Sequence, residues 1–206
     1  PQEVGIDVSV FTRDGIERVM RYAFELALTR PKKQLILVTK SNAQRHGMVL
    51  WDEVFENLKH DYPRITTDRM LVDAITTRMV LQPQSLDTIV ATNLHADILS
   101  DLAAALSGSL GIGPTANINP ERTFPSMFEP IHGSAFDLVG KDLANPLGAF
   151  WSCVMMLEHL QEKKGASLLM SAIEEVCQEG RHLPIDLGGN SCKGEVTTAV
   201  CAALKK

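Results

Sequence analysis

The chain has 206 residues, 45% hydrophobic and 22% charged, which is enough apolar material for one large or two small soluble domains. A formal net charge of −5 gives no basic footprint for nucleic acid or an anionic membrane, while leaving room for a local basic pocket that takes a small anionic substrate. The longest apolar runs, such as Leu35-Ile36-Leu37-Val38, are too short to span a bilayer, and Pro1-Gln2-Glu3 opens no signal peptide, so a cytoplasmic location is expected.

In chain order, helices and strands alternate. Apolar positions at Ile16, Val19, Met20, Ala23, Phe24 and Ala27 have a helical period that ends near Thr29-Arg30-Pro31. Gln34 to Thr39 is a short β-branched run, expected as a central strand. A second helix is predicted from Met48 to His60, stopped by Asp61-Tyr62-Pro63. Arg64 to Thr67 reads as extended, and Asp73 to Leu81 as helical up to Gln82-Pro83. Leu86 to Ala91 reads as a buried strand, followed by a helix from Ala96 to Leu106. This alternation predicts an α/β fold without internal repeats.

The texture changes after Ser107. Glycines and prolines from Gly108 to Gly133 crowd out periodic positions, so short strands and functional loops are expected there. Helices resume at Pro146 to Gln161, Ala166 to Gln178 and Glu195 to Leu204. The change places a domain boundary at Ser107, dividing the chain into residues 1–107 and 108–206.

The four cysteines, Cys153, Cys177, Cys192 and Cys201, lack the paired spacing of zinc or dithiol sites and are expected to be reduced and mostly buried. The six histidines form no H-E-x-x-H pattern, so zinc chemistry is not expected.

Asn93-Leu94-His95-Ala96-Asp97-Ile98-Leu99-Ser100-Asp101 carries the strongest chemical signal. Asp97 and Asp101 are four residues apart where a strand gives way to a helix, which puts both carboxylates on one helical face, close enough for one cation. Such a pair is more often a solvated face, but its place at the carboxyl end of a strand is where α/β proteins bind ligands. Lys40 in Thr39-Lys40-Ser41-Asn42 directly follows a buried strand and can act as a general base; the plainer alternative is a solvated strand-end lysine. Asp73 sits at a strand-to-helix junction, where a helix cap is the plainer role. Glu129 to Asp137 is a loop with small residues that admit a ligand to backbone, ending in an acid able to accept hydrogen bonds from ribose hydroxyls; a surface turn is the alternative.

The succession VTKSN, LVDA, NLHADILSDLAA, GSLGIGPTANIN, FEPIHGSAFD, ANP and DLGG resembles the β-decarboxylating dehydrogenases, the family of isopropylmalate, isocitrate, tartrate and D-malate dehydrogenases. The resemblance runs from Val10 to Leu204, and SVFTRDGIERVMRYAFELA and TKSNAQRHGMVLWDEVF look most like the tartrate/D-malate branch. It implies an isocitrate/isopropylmalate dehydrogenase-like α/β fold, with residues 1–107 forming a small, dimer-forming domain and residues 108–206 the C-terminal part of a large cofactor-binding domain.

The family's site residues carry over onto matching positions. Asp97 and Asp101 match its Mg²⁺ or Mn²⁺ ligands, and Asp73 a third carboxylate given across a dimer interface. Lys40 matches a catalytic lysine, also given to the neighbouring subunit, and Asn42 a residue near the nicotinamide. His132, Gly133, Ser134 and Ala135 match the loop around the cofactor's adenosine, with Asn145 beside the adenine. Asp137 matches the acid that favours NAD over NADP by repelling a 2′-phosphate. The implied activity is NAD- and metal-dependent oxidative decarboxylation of a 2-hydroxy dicarboxylic acid, tartrate or D-malate, by a homodimer with shared active sites. Isopropylmalate or isocitrate is the alternative substrate.

Three departures qualify the match. His95-Ala96 stands where family members often have Phe-Gly, and Phe136 where they have proline; neither change removes a ligating atom. The family's enzymes are also longer, and what precedes Pro1 in them includes the substrate-gripping arginines and a reprotonating tyrosine; Tyr22 and Tyr62 lie in other contexts. The chain therefore reads as the C-terminal portion of such an enzyme, with uncovered apolar surface expected. A non-catalytic dimerisation fragment is the competing reading.

Overall fold

The computed structural model describes residues 2–205, which divide into two compact units between Ser100 and Asp101. The first unit contains α1 (Arg13–Thr29), β1 (Gln34–Thr39), α2 (Gly47–Leu58), β2 (Thr66–Leu71), α3 (Val72–Leu81) and β3 (Thr88–Val90). Helix α4 (Asn93–Leu106) begins in this unit and continues into the second.

The three strands form a parallel sheet in the order β2-β1-β3, so the predicted central strand is central. The register pairs Thr39 with Leu71 and Leu37 with Val90, which brings the carboxyl ends of all three strands to one edge. Successive β1 side chains point to opposite faces. Leu35 and Leu37 join the core with Ile16, Met20, Phe24, Met48, Val54 and Phe55 of α1 and α2. Ile36 and Val38 are equally buried outside that cluster, and α3, with Ile75 and Met79 buried, packs on both β1 and β2. Cover on both faces explains the unbroken apolar run of β1. Phe24 stacks on both Tyr62, at 4.6 Å between ring centroids, and Phe55, at 5.5 Å.

Several element ends shift by one to four residues from the expectation, and two of the shifts have a visible cause. Strand β2 occupies Thr66–Leu71 rather than 64–67, because the Ile65 N–H closes a turn on the Tyr62 carbonyl at 3.0 Å before pairing with β1 begins. Helix α4 starts at Asn93 rather than Ala96. The Ala96 N–H reaches the Thr92 carbonyl at 2.8 Å and the His95 N–H reaches Thr92 Oγ1 at 3.4 Å, so Thr92 caps the helix three residues early.

The second unit has an antiparallel pair, β4 (Pro114–Asn117) with β5 (Met127–Pro130), and helices α5 (Leu147–His159), α6 (Lys163–Glu179) and α7 (Lys193–Ala203). Leu147 and Val154 of α5, Leu169, Ile173 and Val176 of α6, and Val196 and Val200 of α7 form its core. Gly148 allows α5 to approach the glycine turn: a Cβ there would lie 2.7 Å from the Gly111 carbonyl oxygen. The cysteines are all free, but burial was the wrong expectation: Cys177 and Cys201 are exposed, and Cys153 and Cys192 only half-buried. They lie on or beside amphipathic helices whose buried positions are filled by Val154, Ile173, Val196 and other aliphatic residues.

Apolar side chains are left uncovered in the first unit. Val4, Ile6, Val8 and Val10 alternate with small or polar residues, are 74% to 83% exposed, and belong to no strand. Leu94 and Ile98 of α4 are also exposed. Among the described residues no helix is long and apolar enough to cross a membrane.

Candidate active site

The carboxyl ends of the parallel strands bring Lys40 and Asp73 together. Lys40 follows β1 and Asp73 lies in the first turn of α3 after β2, so the Thr39–Leu71 register sets them side by side. Lys40 Nζ donates to Asp73 Oδ1 at 2.6 Å. This charge-assisted bond holds the Asp73 carboxyl below the ordinary carboxylate range. Asp73 is therefore no helix cap: Leu71 occupies the N-cap position and no side chain caps α3. The chain turns directly after Lys40, whose carbonyl accepts from the Ala43 and Gln44 N–H groups at 2.9 Å each, and Asn42 lies exposed in that turn.

His95 enters the same neighbourhood from the first turn of α4. It is 8% exposed and its Nδ1 is buried without a hydrogen-bond partner. Burial, and secondarily the Lys40 charge, lower its pKa, so the ring is neutral at pH 7. The aromatic departure from the family pattern thus places an uncharged polar ring in the electrostatic field of the lysine.

Asp97 and Asp101 are exposed and lie one helical turn apart on α4. Their oxygen donors suit a hard divalent cation. Among the described residues no three His, Cys, Asp or Glu side chains gather into a metal-binding cluster.

The second unit contains a cavity of about 650 Å³ with a mainly apolar lining. His132, Ala135 and Asn145 line it, together with Ser109, Gly111 and Asp186. Gly133, Ser134 and Asp137 are exposed on the neighbouring loop and outside the lining. Asn145 is 9% exposed; its Nδ2 donates to Asp186 Oδ2 at 2.9 Å and its Oδ1 accepts from the Leu147 N–H at 2.9 Å. Ser109 Oγ also donates to Asp186 Oδ2 and accepts from the Gly111 N–H at 2.9 Å. Position 111 has no room for a side chain, since a Cβ would come within 2.5 Å of Asp186 Oδ2. An apolar slot of this size with a few fixed polar groups fits a planar heterocycle with a sugar.

Asp186 is the residue sequence reasoning did not assign, although it opens the DLGG motif; its partners are 77 and 41 residues away, and no local pattern announces them.

A sequence profile of the family described as isocitrate/isopropylmalate dehydrogenase matches residues 1–204. A relative from Agrobacterium vitis named "Probable tartrate dehydrogenase/decarboxylase" is 63% identical over 204 residues, covering 99% of this chain and 57% of the relative. The Escherichia coli protein named D-malate dehydrogenase [decarboxylating] is 47% identical, with 97% of this chain and 56% of that protein covered. The crystal structure of isocitrate dehydrogenase from Methylococcus capsulatus superposes with a TM-score of 0.92 at 39% identity, over 97% of this chain and 58% of that one. The chain thus spans little more than half the length of the relatives it matches.

Proposed function

The chain belongs to the isocitrate/isopropylmalate dehydrogenase family, and from that premise we propose that it is part of a longer NAD- and divalent-metal-dependent enzyme that oxidatively decarboxylates tartrate or D-malate. The single observation that carries this reading is the 2.6 Å contact of Lys40 with Asp73 at the carboxyl ends of parallel strands.

In this reading Lys40 is the base that takes the substrate's hydroxyl proton. Its Nζ donates to Asp73 Oδ1, which holds the amino group at the carboxyl edge of the sheet, where the substrate's hydroxyl would be met. Asp97 and Asp101 of one chain, with Asp73 of a second, would hold the Mg²⁺ or Mn²⁺, which when bound polarises the substrate's oxygen and stabilises negative charge as carbon dioxide leaves. NAD would supply the hydride acceptor, with its adenosine in the cavity of Asn145, His132 and Ala135 and its nicotinamide near Asn42. Gly133 and Ser134 flank the adenosine on the exposed loop, and Asp137 disfavours a 2′-phosphate by charge repulsion.

Residues 1–107 serve as the small dimer-forming domain and residues 108–206 as the C-terminal part of the cofactor domain. Exposed Leu94 and Ile98, on the helix that carries Asp97 and Asp101, support a homodimer with shared sites. Four free cysteines suit a reducing compartment such as the cytoplasm. Tartrate and D-malate are preferred to isopropylmalate or isocitrate because the tartrate-named relative is 63% identical and the isocitrate-named structure 39%. Turnover of the four acids by the full-length enzyme tests that order; preference for isopropylmalate or isocitrate would reverse it.

A second reading follows from the same residues. If Lys40 and Asp73 serve the neighbouring subunit, this chain could complete a full-length partner's site while lacking one of its own. Co-expression with a full-length subunit tests this, and absence of a heterodimer on size-exclusion chromatography would remove it.

A further inference from the structure

The segment from Leu138, which ends the 3-10 turn Phe136–Leu138, up to α5 supplies Leu138, Leu143, Ala144 and Asn145 to the cavity lining, yet most of it has no regular secondary structure. Such a wall keeps its shape only if something outside it holds the backbone. Asn145 is held by Asp186 at one end. The middle is held by Asp142, which points no atom of its own into the lining.

Asp142 meets the first turn of α7 through four groups. Its backbone carbonyl accepts from the Lys193 N–H at 2.8 Å, and its Oδ1 lies 3.4 Å from Lys193 Nζ. The Cys192 thiol and the Gly194 N–H also lie beside its carboxylate. These donors, Cys192 first, hold Asp142 below the ordinary carboxylate range. The anion sits at the positive end of an eleven-residue helix that is anchored by fully buried Val196 and Val200. Asp142 adopts φ +56°, a left-handed conformation that only Gly, Asn and Asp tolerate readily. The backbone is thus bent at the residue whose side chain and carbonyl both grip α7.

We propose that Asp142 is a positioning residue for the nucleotide cavity, clasping the 138–145 segment to the start of α7 so that the Leu138, Leu143 and Ala144 wall is preset to the width of an adenosine. The inference rests on reading that cavity as the adenosine site. Asp142 touches no ligand; it acts through the wall. Preorganisation of this kind appears in ligand affinity, because a loose wall must be ordered on binding.

The test is AMP binding to the intact protein by isothermal titration calorimetry, with hydrogen exchange of the 138–145 amides alongside. Asp142→Ala should weaken AMP about fivefold and speed exchange across the segment, the scale of one lost hydrogen bond. Alanine is strained at φ +56°, so the variant's melting temperature should fall by about 2–4 °C, and affinity and exchange are compared well below it. Asp142→Asn keeps an acceptor and the left-handed preference, and should recover most of the affinity, a rescue that a general packing defect would not show. Unchanged AMP affinity in Asp142→Ala overturns the clasp while leaving the cavity's reading intact. Failure of the wild type to bind AMP overturns the adenosine reading, and the clasp with it. Should Asp142→Ala not fold, Asp142→Gly keeps the left-handed backbone and removes the carboxylate: weaker AMP binding with faster exchange supports the clasp, and unchanged affinity overturns it.

Discussion

Lys40 Nζ lies 2.6 Å from Asp73 Oδ1 although the two residues are 33 positions apart, because parallel pairing of β1 with β2 ends both strands at one edge of the sheet. The Asp73 side chain is 64% exposed, so the pair is open to solvent and adds little to folding. Its exposure is what a residue needs if it is to be handed to a second chain.

Lys40→Met is accordingly expected to leave the urea midpoint of the protein nearly unchanged while lowering kcat of the full-length enzyme by about 10²–10⁴-fold, the usual contribution of a general base. Asp73→Asn should preserve the fold equally well and reduce both turnover and Mn²⁺ affinity. Loss of folding in either variant, rather than of rate, would show that the contact serves stability.

Asp101→Asn replaces a carboxylate by a neutral amide at the α4 pair proposed to hold the cation. Cation affinity follows the number of anionic ligands, so Mn²⁺ binding should weaken by roughly tenfold or more. Titration calorimetry of the full-length enzyme checks this, and an unchanged affinity would remove α4 from the proposed metal site.

Asp186→Ala strips the shared acceptor from Ser109 and Asn145. Two part-buried donors lose their partner, which should cost about 1–3 kcal/mol in urea unfolding and weaken AMP together with it. A stability loss with intact AMP affinity would make the network purely architectural.

His95 gives the pH dependence a definite sign. Its pKa is lowered in the fold, while in the unfolded chain it titrates near the ordinary value of about 6.5. As pH falls below that value the unfolded state takes up a proton that the folded state refuses, so stability declines. His95→Phe should flatten the decline over this window. Urea midpoints at pH 7.5, about 6 and about 5, taken with chelator present, would show parallel curves for both proteins if the ring does not contribute.

Much of the fold could be read before the structure because local patterns carry it. The LILV run is apolar on both faces because helices cover both, and the helical period of residues 16–27 matches the buried face of α1 except at Val19, which is exposed. Lys40 and Asp73 were each assignable by motif, and their contact needed only strand register. What stayed hidden depends on long-range partners. Asp186 gains its place from Ser109 and Asn145, and Asp142 its place from the first turn of α7; neither relationship leaves a periodic trace. The early start of α4 was concealed for a different reason, since Thr92 reads as the end of an apolar strand and shows itself as a cap only through the His95 and Ala96 N–H groups.

Oxidative decarboxylation is measured by following NADH absorbance with the full-length enzyme, NAD, Mn²⁺ and D-malate or tartrate, with and without chelator. NADH should form together with carbon dioxide, and both should be abolished by chelator and by Lys40→Met. Turnover that survives both, or no turnover of any 2-hydroxy dicarboxylic acid by the full-length enzyme, would contradict the proposed function.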